Sequence, residues 1–202
     1  MKKFFVALRN ERNAQGCVSR PVAADIAAVV EDEAGAVVTP GMLTGYGVGK
    51  EDLFRMAIDE SIAGRRPVMM PIEAAINALY GGPMAPPAGE AGPLFVLTNR
   101  QLAQGAAVMM YDGLLDEVKT RLGGSFYILP SSVHEVLVTP VDAFDSPDDL
   151  RDIVREVSGA LEKEDFLSDE VLIYDGELRA ADHDRDAAVL AGYWGREEIS
   201  GR

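Results

Sequence analysis

Cysteine and histidine are scarce in this sequence, which contains one cysteine, Cys17, and two histidines, His134 and His183. A single cysteine excludes an intramolecular disulfide, and these three residues cannot supply the four ligands of a structural zinc site. We therefore expect a chain from a reducing compartment, the cytoplasm. Neither a metal site nor a cofactor is predicted.

Basic residues are also few, with 19 Lys and Arg against 33 Asp and Glu and a formal net charge of −14. The pair Arg65-Arg66 does not extend into a basic patch. Because phosphate backbones are repelled by such a chain, we expect no direct binding to nucleic acid. The excess of acids is interpreted first as a solvated surface. The alternative is an acidic face that binds a basic protein in place of nucleic acid.

Long hydrophobic runs are absent. Residues 1–9 begin with a basic segment, but their apolar run is too short for the core of a signal peptide and is followed at once by a charge. No other run approaches the length of a membrane span. We therefore expect a cytoplasmic protein with no membrane partner.

The 202 residues are 48% hydrophobic, enough for a sizeable core. Predicted strands and helices do not alternate regularly, and no internal repeat of fixed period is present. We therefore predict an α+β fold, in which a mixed or mainly antiparallel sheet packs against helices, as a single domain over residues 1–202.

Near the N-terminus, Lys3–Arg9 is predicted to form a strand. Residues 22–30 and 31–38 are interpreted as two further strands that meet at a turn. A helix over Ala23–Val30 is the alternative, because alanine-rich runs do not distinguish the two periods.

Helices are predicted in the next part of the chain. Thr39 before Pro40 is typical of a helix start. Glycines within residues 45–49 end this helix, and apolar residues at helical spacing predict a second one after them. Pro71 begins a third helix, and the glycine- and proline-rich residues 81–93 are interpreted as a mobile surface loop.

Strands return after this loop, the first at residues 94–98. The apolar run Ala106–Tyr111 lacks alternation, so we predict a central strand that is covered on both faces. Asp112 is predicted to cap the helix that follows. Further strands are predicted at Phe126–Leu129 and Val133–Val141.

The C-terminal part begins with a helix start at Ser146-Pro147, where acidic residues follow the proline. Val171–Tyr174 is predicted to form a strand, and Asp175-Gly176 after it indicates a hairpin turn. A short final helix is predicted around Trp194.

The segment Tyr127–Val136 concentrates residues that carry chemistry, with two hydroxyls, an imidazole and a carboxylate. If residues 131–138 are extended, their alternation places Ser132 and His134 on the same face. Ser132 and His134 are therefore the candidate catalytic residues. The candidate binding residues are Tyr127, Ser131 and Glu135.

A hydrolase needs a third group that orients the histidine. Glu135 is predicted on the opposite face from His134, and no spacing brings Asp142, Asp145 or Asp169 close to it. The alternative is a structural turn in which the serines bond to the backbone and the imidazole bonds to a carbonyl group. The sequence favours this structural interpretation.

Two other patterns do not meet the requirements of known sites. Carboxylates cluster at residues 142–152 and 182–186 without the spacing of a calcium loop, and are interpreted as solvated acids. Residues 45–49 read GYGVG but lack the Lys-Ser/Thr of a phosphate loop, so they are interpreted as a turn.

Short motifs occur in order at Leu97-Thr98-Asn99, Gly105-Ala106-Ala107-Val108, Tyr127–Val136, Leu167-Ser168-Asp169 and Tyr174-Asp175. In these motifs the chain resembles the bacterial domain of unknown function family 5688, with a layout similar to that of family 1444. The resemblance runs from about residue 39 to 175, so residues 1–38 are N-terminal strands and 176–202 a C-terminal extension. It implies a bacterial cytoplasmic protein, common among genes of mobile elements, with no reaction or cofactor to carry over.

The leading hypothesis is a non-catalytic accessory protein that binds another protein with a basic surface. Its narrower form is a mobile-element-borne inhibitor of a host defence nuclease. One alternative is a small hydrolase that uses Ser132 and His134. The other is a structural or regulatory homodimer built on an exposed sheet edge.

Overall fold

The structure is a computed structural model that describes residues 2–79, 81, 92–130, 132–144, 147–159, 161–182 and 186. The strands are β1 (Phe4–Asn10), β2 (Ser19–Ala23), β3 (Ile26–Asp32), β4 (Pro67–Pro71), β5 (Phe95–Asn99), β6 (Phe126–Leu129), β7 (Val136–Pro140), β8 (Leu172–Tyr174) and β9 (Leu178–Ala180). The α-helices are α1 (Pro40–Tyr46), α2 (Lys50–Gly64), α3 (Ile72–Leu79), α4 (Leu114–Leu122) and α5 (Pro147–Ser158). Shorter 3₁₀ helices lie at Glu11–Ala14, Gly105–Met110 and Val141–Ala143.

The smaller sheet is antiparallel, with strand order β1-β3-β2. All seven residues of the central strand β3 are buried, so its apolar run is covered on both faces and the helical alternative is wrong. The turn before it lies at Ala24, whose φ of +48° makes the tight reversal. The two strands predicted over residues 22–30 and 31–38 are found only in part. The turn at Ala24 divides the first range between β2 and β3, and after β3 the chain reverses so that Val37 forms a single bridge to Glu31.

The larger sheet has strand order β4-β5-β7-β6-β8-β9, and all of its described pairs are antiparallel. Side chains alternate across it as a pleated strand requires. Phe126 and Ile128 enter the main core, whereas Tyr127 and Leu129 enter a second core on the opposite face. These observations confirm the predicted α+β fold and its antiparallel pairing.

The larger sheet lies between two layers. One face packs against the smaller sheet, α2 and the 3₁₀ helix Gly105–Met110, which together enclose the main core. The other face carries α3 near β4 and β5, and α5 near β6 and β8. Leu137 of β7 lies between these two helices and packs against the clusters under both of them.

Helix ends follow local chemistry. The hydroxyl of Thr39 accepts a hydrogen bond from the backbone N–H of Met42 at 3.4 Å, which confirms the predicted cap of α1. The predicted cap of α4 is wrong, because Gly113 and not Asp112 occupies the N-cap position and no side chain bonds there. Asp112 stands one residue too early. At the other end of α4, Gly123 adopts a left-handed conformation and terminates the helix as expected.

The run Ala106–Tyr111 is not a central strand. Residues Gly105–Met110 form a 3₁₀ helix, and all but the last residue of it are buried. An apolar run without alternation is expected both of a covered strand and of a buried helical turn, so its pattern did not distinguish them. The left-handed conformation of Gln104, with φ of +52°, redirects the chain immediately before this helix.

Some predicted features lie outside the described residues. They are most of the loop at 81–93, the cap at Ser146 and the final helix around Trp194. The strand at Val171–Tyr174 and its hairpin turn are confirmed, since β8 pairs with β9 across residues 175–177. Over the part of the chain that the structure describes, no helix is both long and apolar enough to cross a membrane.

The first prediction concerns Gly105, where the 3₁₀ helix meets the larger sheet. A Cβ atom at Gly105 would lie 2.0 Å from Thr98 Oγ1 and 2.4 Å from the carbonyl oxygen of His134. We expect Gly105→Ala to lower the free energy of unfolding by roughly 3 kcal/mol, because backbone atoms must move to admit the methyl group.

The matched control is Gly45→Ala in the last turn of α1, where an added Cβ has no neighbour within 4 Å. Its free energy of unfolding is expected to stay equal or rise by up to about 1 kcal/mol, since alanine favours helix. Urea unfolding of both variants measures the difference. Equal stabilities for the two variants would contradict the close approach at Gly105.

Candidate functional site

The candidate site lies between β6 and β7, where the chain leaves the larger sheet. Residues 132–134 do not belong to a continuous strand as predicted, since β7 begins only at Val136. The buried hydroxyl of Ser132 accepts a hydrogen bond from the backbone N–H of His134 at 2.9 Å. This local bond closes a turn, which is the conformation that serine hydroxyls favour in competition with a strand.

Both ring nitrogens of His134 have partners. Nδ1 accepts a hydrogen bond from the backbone N–H of Gln104 at 3.3 Å, and Nε2 lies 3.1 Å from a carboxylate oxygen of Asp165. Since an N–H group faces Nδ1, the neutral ring carries its proton on Nε2 and donates it to Asp165.

The backbone of the same turn is also bonded on several sides. The carbonyl oxygen of His134 accepts from the N–H of Gly105 at 2.9 Å and from the hydroxyl of Thr98 at 2.7 Å. The N–H of Val133 donates to the carbonyl oxygen of Asp165 at 2.9 Å. The turn therefore joins the 3₁₀ helix, β5 and the 161–170 segment.

Ser132 and His134 are therefore in contact, but the bond joins the hydroxyl to the backbone N–H of His134 and not to its ring. A nucleophilic serine needs its hydroxyl proton within reach of a ring nitrogen. Here the hydroxyl bonds to the backbone of His134, and the ring bonds to Gln104 and Asp165. The bond of Ser132 matches the structural turn that the sequence favoured, whereas the imidazole bonds to a backbone N–H and a carboxylate and not to a carbonyl group as expected.

The acid that contacts the imidazole is Asp165, and not one of the three acids considered from the sequence. Asp142 and Asp169 do not make this bond, and Asp145 lies outside the described residues. Asp165 is placed by the single β-bridge between Ser132 and Phe166. One isolated bridge leaves no periodic signal in the sequence, so the contact was not predictable from spacing.

Gln104 is a further residue that sequence reasoning missed. Its side-chain oxygen accepts from the guanidinium of Arg9 at 2.6 Å, and Arg9 forms an ion pair with the buried carboxylate of Glu31. Burial raises the pKa of Glu31 above its usual value, although the charges of Arg9 and Arg65 oppose this shift. A polar chain therefore runs from Asp165 through His134 and Gln104 to the smaller sheet.

The three candidate binding residues have different environments. Tyr127 is fully buried in the second core, so its side chain does not face solvent. Glu135 is partly exposed, lines a groove on the outer face of the larger sheet, and has no hydrogen-bond or ion-pair partner among the described residues. Ser131 lies outside the described residues.

The buried hydroxyl of Tyr127 has no hydrogen-bond partner within the described structure. Burial, assisted by the negative charge of Asp186, raises the pKa of Tyr127 to about 12, although Arg179 and Arg151 oppose the shift. The phenol is therefore neutral at physiological pH.

A metal site needs several ligating side chains close together. The residues that the structure describes contain no group of three acidic, histidine or cysteine side chains placed to hold a metal ion.

The fold and these contacts define an α+β protein whose most reactive segment is used as a structural turn. The chain belongs to the Family of unknown function (DUF5688), whose model matches residues 24–176. This result confirms the family predicted from the motifs. The match begins earlier than predicted and includes β3, whereas β1, β2 and β9 lie outside it. No curated protein and no solved structure matches the chain.

The second prediction concerns the tautomer of His134. We expect ¹⁵N spectra of the neutral ring to show an unprotonated Nδ1 and a protonated Nε2, because the amide of Gln104 donates to Nδ1. A ring protonated on Nδ1 would show that the bond from Gln104 is absent.

The third prediction compares two buried tyrosines. Tyr127→Phe removes a hydroxyl that has no described partner, so we expect the free energy of unfolding to rise by about 1 kcal/mol or to stay constant. Tyr111→Phe is the control, because its hydroxyl donates to the carbonyl oxygen of Arg65 at 3.0 Å. That variant is expected to lose about 1 kcal/mol. Denaturant unfolding checks both, and a loss of stability in Tyr127→Phe would contradict the unpaired hydroxyl.

Proposed function

We propose that this protein is a non-catalytic accessory protein that binds a partner protein with a basic surface. The observation that supports this most strongly is the way its candidate catalytic groups are used. The Ser132 hydroxyl and both ring nitrogens of His134 are engaged in bonds that hold a turn. Groups committed in this way are not poised for proton transfer.

The charge of the chain supports a basic partner. The formal net charge of −14 attracts a positively charged surface and increases the rate of association at low salt. Many acids lie at exposed positions, including Asp148, Asp149 and Asp152 on α5. Such a surface competes well with nucleic acid for a protein that binds phosphate backbones.

The narrower form of the proposal is a mobile-element-borne inhibitor of a host defence nuclease. A nuclease that binds nucleic acid through a basic surface offers the charge complementarity that this acidic chain requires. Inhibition then follows from competition for that surface, and no chemical step by this protein is needed.

A hydrolase that uses Ser132 and His134 is the second candidate, because the bond between His134 and Asp165 resembles the base and acid of a triad. Its activity requires the ring to leave Gln104 and approach the Ser132 hydroxyl. Hydrolysis of a small activated ester that disappears in Ser132→Ala, with the fold retained, would favour this candidate.

A homodimer paired through sheet edges is less well supported by the structure. The edge strand β4 has Pro67 and Pro71 at its ends, and the edge strand β2 contains Pro21. These three prolines lack the N–H that edge pairing uses. The mass of the protein at micromolar concentration tests this alternative, and a monomer removes it.

The fourth prediction is the salt dependence of partner binding. We expect the immobilised protein to retain a basic partner from a host lysate at about 0.05 M salt and to release it at about 0.5 M, because screening weakens exposed charge pairs. An unrelated protein of similar negative charge on the same resin is the control. Recovery of no specific partner at either concentration would contradict the proposal. For the narrower form, the captured partner should be a nuclease whose activity falls on addition of this protein.

A further inference from the structure

The outer face of the larger sheet contains an apolar groove beside α3, over the neighbouring strands β4, β5 and β7. Its floor is formed by Met70, Val96 and Leu137, one residue from each of three adjacent strands. The groove follows from the spacing of the two helices on this face. Since α3 covers β4 and β5 and α5 covers β6 and β8, the surface around β7 is left between them.

The rim of the groove exposes apolar side chains. Ile76 of α3 is 49% exposed and Leu102 is 41% exposed, and these are two of the four large exposed apolar residues in the described structure. Leu102 also has a positive φ of +54°, which a branched side chain adopts at a cost. The loop between β5 and the 3₁₀ helix Gly105–Met110 thus holds an apolar side chain at the rim in an unfavourable backbone conformation.

Glu135 supplies one negative charge within this apolar lining. It stands immediately before β7, and no described side chain forms an ion pair with it. A carboxylate beside an apolar surface attracts a cationic group that is attached to an apolar one. The groove therefore combines the two features that a basic, apolar segment recognises.

The size of the groove indicates what kind of ligand it holds. Its volume is about 280 Å³, whereas pockets for small molecules begin at roughly 300 Å³ and enclose most of their ligand. This groove is open along one side, and it accommodates one or two side chains of a bound segment.

We propose that this groove is the docking site for a short segment of the partner protein, which inserts an apolar side chain and places a Lys or Arg against Glu135. The inference rests on the proposed function, because it assigns the surface through which a basic partner binds. It adds that apolar contact in the groove, and not the net charge alone, selects the partner.

The test uses the intact protein as bait for a random peptide library displayed on phage at about 0.15 M salt. We expect the enriched peptides to carry a large apolar residue with Lys or Arg within about three positions of it. They should bind Ile76→Glu at least about tenfold more weakly than the wild type, since that variant replaces an apolar rim contact by a carboxylate that must be desolvated when the apolar side chain inserts.

Ile62→Glu is the matched control, because Ile62 is 41% exposed on α2, away from the groove. Peptide binding by this variant should stay within about twofold of the wild type. Glu135→Lys should change the preference of the groove from basic to acidic peptides. Its control is Glu170→Lys, which changes an exposed acid outside the groove and should leave the preference for basic peptides unchanged. Thermal unfolding establishes that each variant is folded.

Several outcomes would overturn the inference. They include the absence of any enriched peptide, or enriched peptides that bind Ile76→Glu and Ile62→Glu equally. A wild-type dimer that Ile76→Glu converts to a monomer would identify a second copy as the occupant. Peptide binding that arises only after residues 83–90 are replaced by glycine and serine would identify the chain's own segment.

The failure of this inference is distinguishable from the failure of the proposed function. If the partner captured from the lysate binds Ile76→Glu and Glu135→Lys as strongly as it binds the wild type, the groove is not the docking site but the function stands. If no specific partner is captured, the proposed function fails and the inference fails with it.

Discussion

The close approach of the His134 carbonyl to Gly105 is the contact on which the central part of the molecule depends. A hydrogen bond of 2.9 Å from the N–H of Gly105 to the carbonyl oxygen of His134 holds the buried 3₁₀ helix against the turn before β7. The same carbonyl oxygen accepts from the hydroxyl of Thr98 in β5. Only a residue without a side chain fits there, since a Cβ would overlap Thr98 and the carbonyl itself. The imidazole then has one orientation, with Gln104 on one side and Asp165 on the other.

This constraint also explains why a segment rich in reactive groups is interpreted as structural. The hydroxyl oxygen of Ser132 and both ring nitrogens of His134 have partners that hold the turn in place. A buried polar group without a partner is costly, so such networks stabilise one conformation. The unpaired charge of Glu135 lies instead at the protein surface, beside an apolar groove.

The sequence predicted the elements whose pattern is local, and it missed those that depend on distant contacts. Thr39 caps α1 and the hairpin after Tyr174 forms, because both signals lie within a few residues. The run at Ala106 was misassigned, since complete burial hides the period that distinguishes strand from helix. Asp165 was missed because its contact with His134 depends on an isolated bridge. The groove was not predictable, as it arises from the spacing of α3 and α5.

Hydrogen exchange at the backbone amide of Gln104 tests the structural role of His134 most directly. That amide donates to Nδ1 of the ring, whereas the neighbouring amide of Gly105 donates to the His134 carbonyl. In the wild type both amides should be protected. In His134→Ala the protection of Gln104 should be lost while that of Gly105 remains. An unprotected Gln104 amide in the wild type would contradict the account, because the ring would then be free for other chemistry.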